Sequence, residues 1–176
     1  MKKLLTILSV SAILFANVAI AQDKKEDKSK RPSPPAKVTQ TIASGAVISI
    51  DYSQPSVKGR TVGKDLEPKE GSVWRTGANE ATVFETSKDL TINGQKLPAG
   101  KYSLFSLSGA NEWTIIFNKT WNQWGAYDYK QADDALRVKA TATSAKNAAE
   151  KFNIAVDKSG AVTLLWGPQV ISFKVQ

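Results

Sequence analysis

One short segment concentrates side chains that could bind a small ligand. The run Val73–Thr82 carries a tryptophan, an arginine, an amide and a carboxylate around a glycine, in the order Trp74, Arg75, Asn79, Glu80. Convergent polar groups beside an aromatic ring are typical of ligand sites. Arg75 could bind a carboxylate, phosphate or sulfate through two parallel hydrogen bonds, and the ring of Trp74 could be a flat platform for the ligand. The alternative is structural: an Arg75–Glu80 ion pair, with Asn79 bonded to turn amides.

A second segment, 121–129, is dense in aromatic residues. It holds four aromatics in nine positions, interleaved with amides and an acid: Trp121, Trp124, Tyr127 and Tyr129. This spacing is too close for one strand face, so some of the rings must project from a loop. Exposed rings beside amides and acids are typical of surfaces that stack on sugars. The alternative is that Trp121 and Trp124 fill the open end of a small core.

The composition excludes many kinds of chemistry. The chain has no histidine and no cysteine. This excludes a Ser-His-Asp triad, a cysteine nucleophile, disulfides and metal sites built on imidazole or thiolate. Calcium sites need several acids at close spacing, whereas Asp133 and Asp134 form a lone pair outside any EF-hand pattern. We expect neither a metal nor a cofactor.

Hydrolysis would therefore fall to paired carboxylates, as in glycosidases, or to a serine–lysine couple. Glu80 and Asp128 form the one carboxylate pair worth naming, because both lie in aromatic-rich loops that contain glycine. Nothing in the sequence brings the two together. The composition thus favours a binding or structural protein over an enzyme.

The N-terminus predicts export. Lys2 and Lys3 precede a mostly apolar stretch, 4–18, and Ala19-Ile20-Ala21 is a small-x-small site that a signal peptidase could cut. We therefore assign residues 1–21 to a signal peptide and expect the mature chain in the periplasm or outside the cell. No later stretch is apolar for long enough to span a membrane.

Residues 22–37 predict a disordered or extended tail. They contain six basic and three acidic residues, with prolines at 32, 34 and 35 and almost nothing apolar to bury. The formal charge of the whole chain is +8, but leader and tail carry most of that excess. The folded part is only mildly basic, so we interpret the tail as a solvated spacer or wall-facing tether and expect no nucleic-acid partner.

From residue 38 onward the periodicity is that of strands. Apolar and polar residues alternate in 47–52, 136–143, 152–156 and 170–175, whereas 102–107 and 113–117 are apolar on both faces and predict central strands. Asn93-Gly94 predicts a two-residue hairpin turn, and 157–160 a hairpin loop. We expect Gly167-Pro168 to separate two strands and 144–151 to form a turn or two of helix.

About eight or nine short strands separated by frequent turns predict an antiparallel β-sandwich or jelly roll. The folded part, 38–176, is of the size expected for a single domain.

Five runs in this chain are similar to a known family. YSQPSVKGR, VWRTGANEATVFE, LPAGKYSLFSL, EWTIIFNK and QWGAYDY resemble, in this order, the secreted bacterial family catalogued as domain of unknown function 2911, over about residues 34–176. The resemblance implies a β-rich envelope domain and supplies no catalytic residue. It draws attention to residues inside the characteristic runs: Arg60, Trp74, Arg75, Gly77, Asn79, Glu80, Trp124, Gly125 and Tyr127.

Two non-catalytic hypotheses remain. In the first, a binding module for an anionic or sugar-like small ligand, one partly open pocket is formed by Arg60, Trp74, Arg75, Asn79, Glu80, Trp121, Trp124 and Tyr127. In the second, these side chains satisfy one another in the interior and the protein acts through protein–protein contacts in the cell envelope.

Overall fold

A computed structural model describes residues 26–109 and 112–176; the predicted signal peptide and the first residues of the predicted tail lie outside them. Within these ranges the protein is all-β and sandwich-like, which confirms the predicted fold class, with ten strands rather than eight or nine. They are β1 Pro35–Thr41, β2 Val47–Ser53, β3 Val73–Trp74, β4 Thr82–Thr86, β5 Leu90–Ile92, β6 Gln95–Leu97, β7 Gly100–Leu107, β8 Glu112–Asn118, β9 Asp134–Val156 and β10 Ala161–Lys174.

One antiparallel sheet contains eight of the strands. Its order is β1-β2-β4-β7-β8-β9-β10, and β3 pairs with β7 beyond the end of β4. The sheet curls so that the segment after β2 meets β9. Two hydrogen bonds join them: Val57 N donates to Glu150 O at 2.8 Å, and Phe152 N donates to Pro55 O at 2.9 Å. The small β5–β6 hairpin pairs with the C-terminus through Thr91 and Gln176. The curled sheet therefore has two layers that face each other across a core.

Aromatic rings fill the centre of that core. Phe152 is fully buried and meets Tyr52, Trp74 and Trp166 edge to face, with ring centroids 5.7, 5.2 and 6.0 Å away. These rings come from β2, β3, β9 and β10, so a single cluster ties strands from distant parts of the sequence. Such edge-to-face pairs add to the stabilisation that burial of the rings already provides.

The opposite face of β7 and β8 carries a second, smaller core. Phe105 and Ile116 are fully buried there, and Ala126 and Tyr129 pack over them. The rings of Phe105 and Tyr129 lie 5.1 Å apart. This explains why β7 and β8 are apolar on both faces and confirms that they are central strands.

Both predicted hairpin turns are present. Asn93 and Gly94 have φ of 50° and 78°, as a turn of this type requires, and they join β5 to β6. Gly160 in the β9–β10 loop has a φ of 87°, and a Cβ there would lie 1.9 Å from the Val175 carbonyl oxygen. Only glycine fits at that position.

Two local expectations are wrong. The stretch 144–151 is not helical but continues β9, because pairing of Ser144 with Gln169 and Ala149 with Gly167 outweighs its weak helix propensity. Gly167 does not end a strand but forms a bulge within β10. Its φ is 55° and a Cβ there would lie 2.8 Å from Val62, so the bulge lets the 57–66 loop pack closely.

Within the described ranges, no helix has the length and apolar character needed to cross a membrane. The helical residues there form two single 3-10 turns, Lys28–Lys30 and Gln131–Asp133.

We expect Phe152→Ala to lower the free energy of unfolding by about 3–5 kcal/mol, because it removes the ring that connects four strands and leaves a cavity. Urea denaturation measures this loss. Lys151→Ala, at the exposed neighbouring position, is the matched control and should change stability by no more than about 0.5 kcal/mol. A loss below about 1 kcal/mol for Phe152→Ala would contradict the role of this cluster.

Candidate functional site

The chain leaves the sheet between β3 and β4. Residues 75–81 are here called the Asn79 loop. The strands on either side of the loop, β3 and β4, both pair with β7, and the loop bulges out between them. Thr76 and Asn79 have φ of 51° and 58°, a region that is costly for the β-branched Thr76. Thr82 Oγ1 donates to Thr76 O at 2.6 Å and holds this turn. The loop therefore projects Asn79 and Glu80 out of the sheet.

A second loop joins the first through backbone pairing. Residues 119–130 are here called the Trp124 loop. Ala81 N donates to Gln123 O of this loop, and Gly125 N of the loop donates to Asn79 O, both at 3.1 Å. These two bonds form an antiparallel bridge between Glu80 and Trp124. Opposed residues in such a bridge have neighbouring side chains. The two segments that the sequence singled out thus meet in the structure.

The N-terminal residues complete the assembly. Residues 26–34, here called the strap, run across both loops before β1 begins. Lys28 Nζ donates to Glu80 Oε1 and Arg31 Nη1 donates to Glu80 Oε2, each at 2.7 Å. Asn79 Nδ2 donates to Ser33 O at 2.9 Å. Glu80 therefore links the strap to the Asn79 loop through two ion pairs.

Arg31 is held from three directions. Its Nε donates to Glu26 Oε1 at 2.8 Å, its Nη1 bonds Glu80, and its guanidinium carbon lies 5.7 Å from the centroid of the Trp124 ring. The side chain is 12% exposed although it belongs to a segment with no apolar side chain apart from prolines. The hydrogen bonds that Arg31 donates, to Glu26 first and to Glu80 second, raise its pKa.

The ionisation of Glu80 follows from these contacts. Partial burial opposes its charge, but hydrogen bonds from Lys28, from the backbone and from Arg31 outweigh that effect and lower the pKa of Glu80 to about 2. Glu80 is thus ionised at neutral pH and cannot serve there as a general acid. Asp128, its suggested partner in hydrolysis, is exposed on the Trp124 loop.

The suggested Arg75–Glu80 ion pair does not form, because Glu80 forms ion pairs with Lys28 and Arg31 instead. Arg75 makes no ion pair among the described residues, and its Nε is buried there without a hydrogen-bond partner. Its Nη1 lies 3.8 Å from where a Cβ on Gly125 would be. That is an ordinary contact distance, so the guanidinium does not require glycine at 125; the close neighbour of such a Cβ would be the Tyr127 ring, at 3.0 Å.

A groove of about 300 Å³ opens beside these contacts. The strap, β1, β2, β4 and the two loops all contribute residues to its lining. Its lining includes Lys28, Asp51, Tyr52, Ser53, Glu80, Trp121, Asn122 and Gln123. Trp121 is 44% exposed, and Lys101 Nζ lies 5.3 Å from the centroid of its ring.

The structure brings some of the predicted site residues together and separates others. Asn79, Glu80, Trp121 and Trp124 lie in or next to the groove. Tyr127, on the same loop as Trp124, is 82% exposed but does not line the groove.

Trp74 and Arg60 correct the expected single pocket. Trp74 is 2% exposed in the main core, and its Nε1 donates to Gly77 O at 3.0 Å, so it cannot be a platform for a ligand. Arg60 lines a different cavity, together with Val57, Val62 and Glu150, and donates to the carbonyl oxygens of Ser56 and Val57. These two residues therefore do not share the expected single pocket, and Arg75 and Tyr127 do not line the groove either.

Sequence reasoning missed several residues of the groove and its wall. Lys28 and Arg31 belong to the tail that was interpreted as a spacer, and Asp51, Tyr52 and Ser53 belong to a strand with ordinary alternation. The density of charged residues around Arg31 is visible in the sequence, but Glu80, the residue that Arg31 bonds, lies 49 residues further along the chain.

Together these observations define a class: an all-β domain with two bridged loops, a basic strap across them and a polar groove that contains an exposed tryptophan. The chain belongs to the family described as Protein of unknown function (DUF2911), whose profile matches residues 33–175. This match confirms the resemblance found in the sequence. No curated protein and no solved structure matches the chain.

Glu80→Gln should reduce the loss of stability in acid. A lowered pKa means that the contribution of the Glu80 charge is fully present above its ordinary value of 4.5 and is lost as the pH falls toward about 2. We therefore expect the free energy of unfolding to fall more steeply over this interval in the wild type than in the variant. Urea denaturation at several pH values measures the difference.

Glu85→Gln is the matched control, because Glu85 pairs with Lys101 on the sheet and makes no contact with the strap. This control should keep the steep fall of the wild type. Superimposable pH profiles for the wild type and Glu80→Gln would contradict the role given to Glu80.

Proposed function

We propose that this protein is a non-catalytic binding module that takes a sugar-like small ligand in the groove beside Trp121. One observation carries the proposal: a partly exposed indole shares a groove with two carboxylates and two amides, those of Asp51, Glu80, Asn122 and Gln123. Pockets with an aromatic wall and a few convergent polar groups are typical of small-ligand sites.

The chemistry of the lining fits a polyhydroxylated ring. The indole of Trp121 offers a flat apolar face for the C–H side of a sugar. Carboxylate oxygens accept hydrogen bonds from hydroxyl groups, and the amides of Asn122 and Gln123 can both donate and accept. The ligand thus gains specificity from its hydroxyl groups and affinity from the ring.

The charge of the lining favours a neutral sugar over an anion. Among the described residues, Lys28 is the one cation of the lining, and it already bonds Glu80; the two carboxylates are paired as well, Asp51 with Lys37 and Glu80 also with Arg31. Like charges close together in a partly desolvated site repel. Arg75, the group suggested to bind an anion, is not part of the lining.

The same contacts argue against hydrolysis. A glycosidase needs one carboxyl group that stays protonated near neutral pH. The pKa of Glu80 is lowered to about 2, and Asp51 forms an ion pair with Lys37 at 2.8 Å. Glu80 therefore does not suit the role of proton donor.

The proposal includes export. The signal-peptide pattern of residues 1–21 supports action in the periplasm or outside the cell, where sugars and cell-wall fragments are accessible ligands. A protein–protein role in the envelope is the alternative.

We expect at least one member of a glycan panel to raise the melting temperature of the 22–176 chain, since a ligand that binds only the folded state stabilises it. For that glycan, Trp121→Ala should increase the Kd about tenfold or more, because the stacking surface is lost. Isothermal titration calorimetry measures the change.

Tyr127→Ala is the matched control, since it removes another exposed aromatic ring that lies outside the groove. It should leave the Kd unchanged. If no glycan stabilises the chain, or if both variants bind as the wild type does, the sugar-binding proposal fails and the protein–protein alternative gains weight.

A further inference from the structure

The strap is attached by hydrogen bonds, ion pairs and the contact of Arg31 with the Trp124 ring. None of its residues is buried, and its sequence from Glu26 to Pro34 contains no apolar side chain apart from prolines. Charged contacts at a protein surface are individually weak and are screened by salt. We therefore expect the strap to be released from the surface beneath it more easily than a segment held by a buried apolar core.

The surface beneath the strap does not depend on it. The bonds Ala81 N to Gln123 O and Gly125 N to Asn79 O fix the two loops to each other by backbone alone. Neither bond involves the strap, so we expect Glu80 and Trp124 to stay side by side when the strap leaves, although Asn79 then loses its bond to Ser33 O. A charged acceptor and an indole face are thus preorganised on the folded domain.

This arrangement matches one chemical group. A guanidinium is planar and can stack on an indole while its edge donates to a carboxylate. Arg31 does both, with its Nη1 at 2.7 Å from Glu80 and its Cζ at 5.7 Å from the Trp124 ring. Lys28 bonds the same carboxylate but makes no cation–π contact with Trp124 among the described residues.

We propose that Trp124 and Glu80 form a subsite for an arginine side chain of a basic peptide segment, which Arg31 fills within its own chain. The strap is then an internal occupant, and the subsite accepts the arginine of another segment when Arg31 leaves. This proposal concerns Trp124 rather than Trp121 and stands independently of the sugar-binding proposal.

An internal occupant masks the subsite. A short tether gives the tethered group an effective concentration in the millimolar range, so a free peptide must exceed that concentration to compete. The wild type should therefore bind an arginine peptide weakly, and removal of the strap contacts with Glu80 should reveal stronger binding.

The experiment uses the double variant Lys28→Ala/Arg31→Ala of the 22–176 chain. The probe is an acetylated peptide with the sequence of residues 26–34, titrated while the indole N–H signal of Trp124 is followed by NMR. We expect the double variant to bind the peptide about tenfold or more tightly than the wild type. The same peptide with Arg31→Lys should bind more weakly, since an ammonium does not stack in the same way.

Lys30→Ala is the matched control, because it removes a strap charge that pairs with Asp27 and not with Glu80. It should remain masked like the wild type. Adding Trp124→Ala to the double variant should abolish peptide binding, whereas adding Tyr127→Ala should not.

Equal affinity of the wild type and the double variant would overturn the proposal, as would equal affinity for the arginine and lysine peptides. Circular dichroism shows that each variant is folded. If Lys28→Ala/Arg31→Ala is not, Arg31→Gln replaces it with the same expected order of affinities. Loss of glycan binding in Trp121→Ala would have no bearing on this outcome, so the two proposals fail separately.

Discussion

The burial of Trp74 determines where this surface forms. Its indole packs against Trp113 and Phe152 in the main core, and its Nε1 binds the carbonyl oxygen of Gly77 three residues later. The chain must therefore turn sharply after β3, and it returns to the same edge of β7 only at Thr82. The intervening Asn79 loop has no strand partner in the sheet and pairs with the Trp124 loop instead. A core contact thus fixes the outward direction of Asn79 and Glu80.

Electrostatics then organises the surface around Glu80. The carboxylate lies among Lys28, Arg31 and its own backbone N–H, which together favour its ionised form. Because exposed ion pairs contribute little singly, the attachment of the strap depends on several contacts acting together. The smaller core under the Trp124 loop combines apolar packing with a partly buried hydroxyl group. There Tyr129 donates to Asp134 at 2.7 Å, and burial, followed by this bond, raises the pKa of Tyr129 to about 12.

The all-β fold was predictable because period-two alternation and turn residues are local signals. Asn93-Gly94 and the apolar character of β7 and β8 on both faces are clear examples. The stretch 144–151 was not predictable in the same way, since alanine and lysine favour a helix locally and only pairing with β10 makes it a strand. Trp74 was misjudged for a related reason: β3 is two residues long and too short to show which side chain points inward.

The candidate site was predictable in part. Two segments dense in aromatic and polar groups were recognised, and they do meet. The contacts that complete the site join residues 49 and 52 positions apart, and a single sequence contains no signal for pairing at that distance. Arg60 shows the opposite kind of error. It lies in one of the runs that resemble the family and was therefore grouped with the groove residues, but it lines another cavity.

The most direct measurement is the NMR chemical shift of the Arg31 side-chain protons, since protons above an indole face are shifted upfield by its ring current. The account predicts upfield shifts in the wild type that disappear in Trp124→Ala. Shifts typical of an unstructured arginine in the wild type would show that Arg31 does not lie over Trp124, and the account of the strap, Glu80 and the two loops would be contradicted.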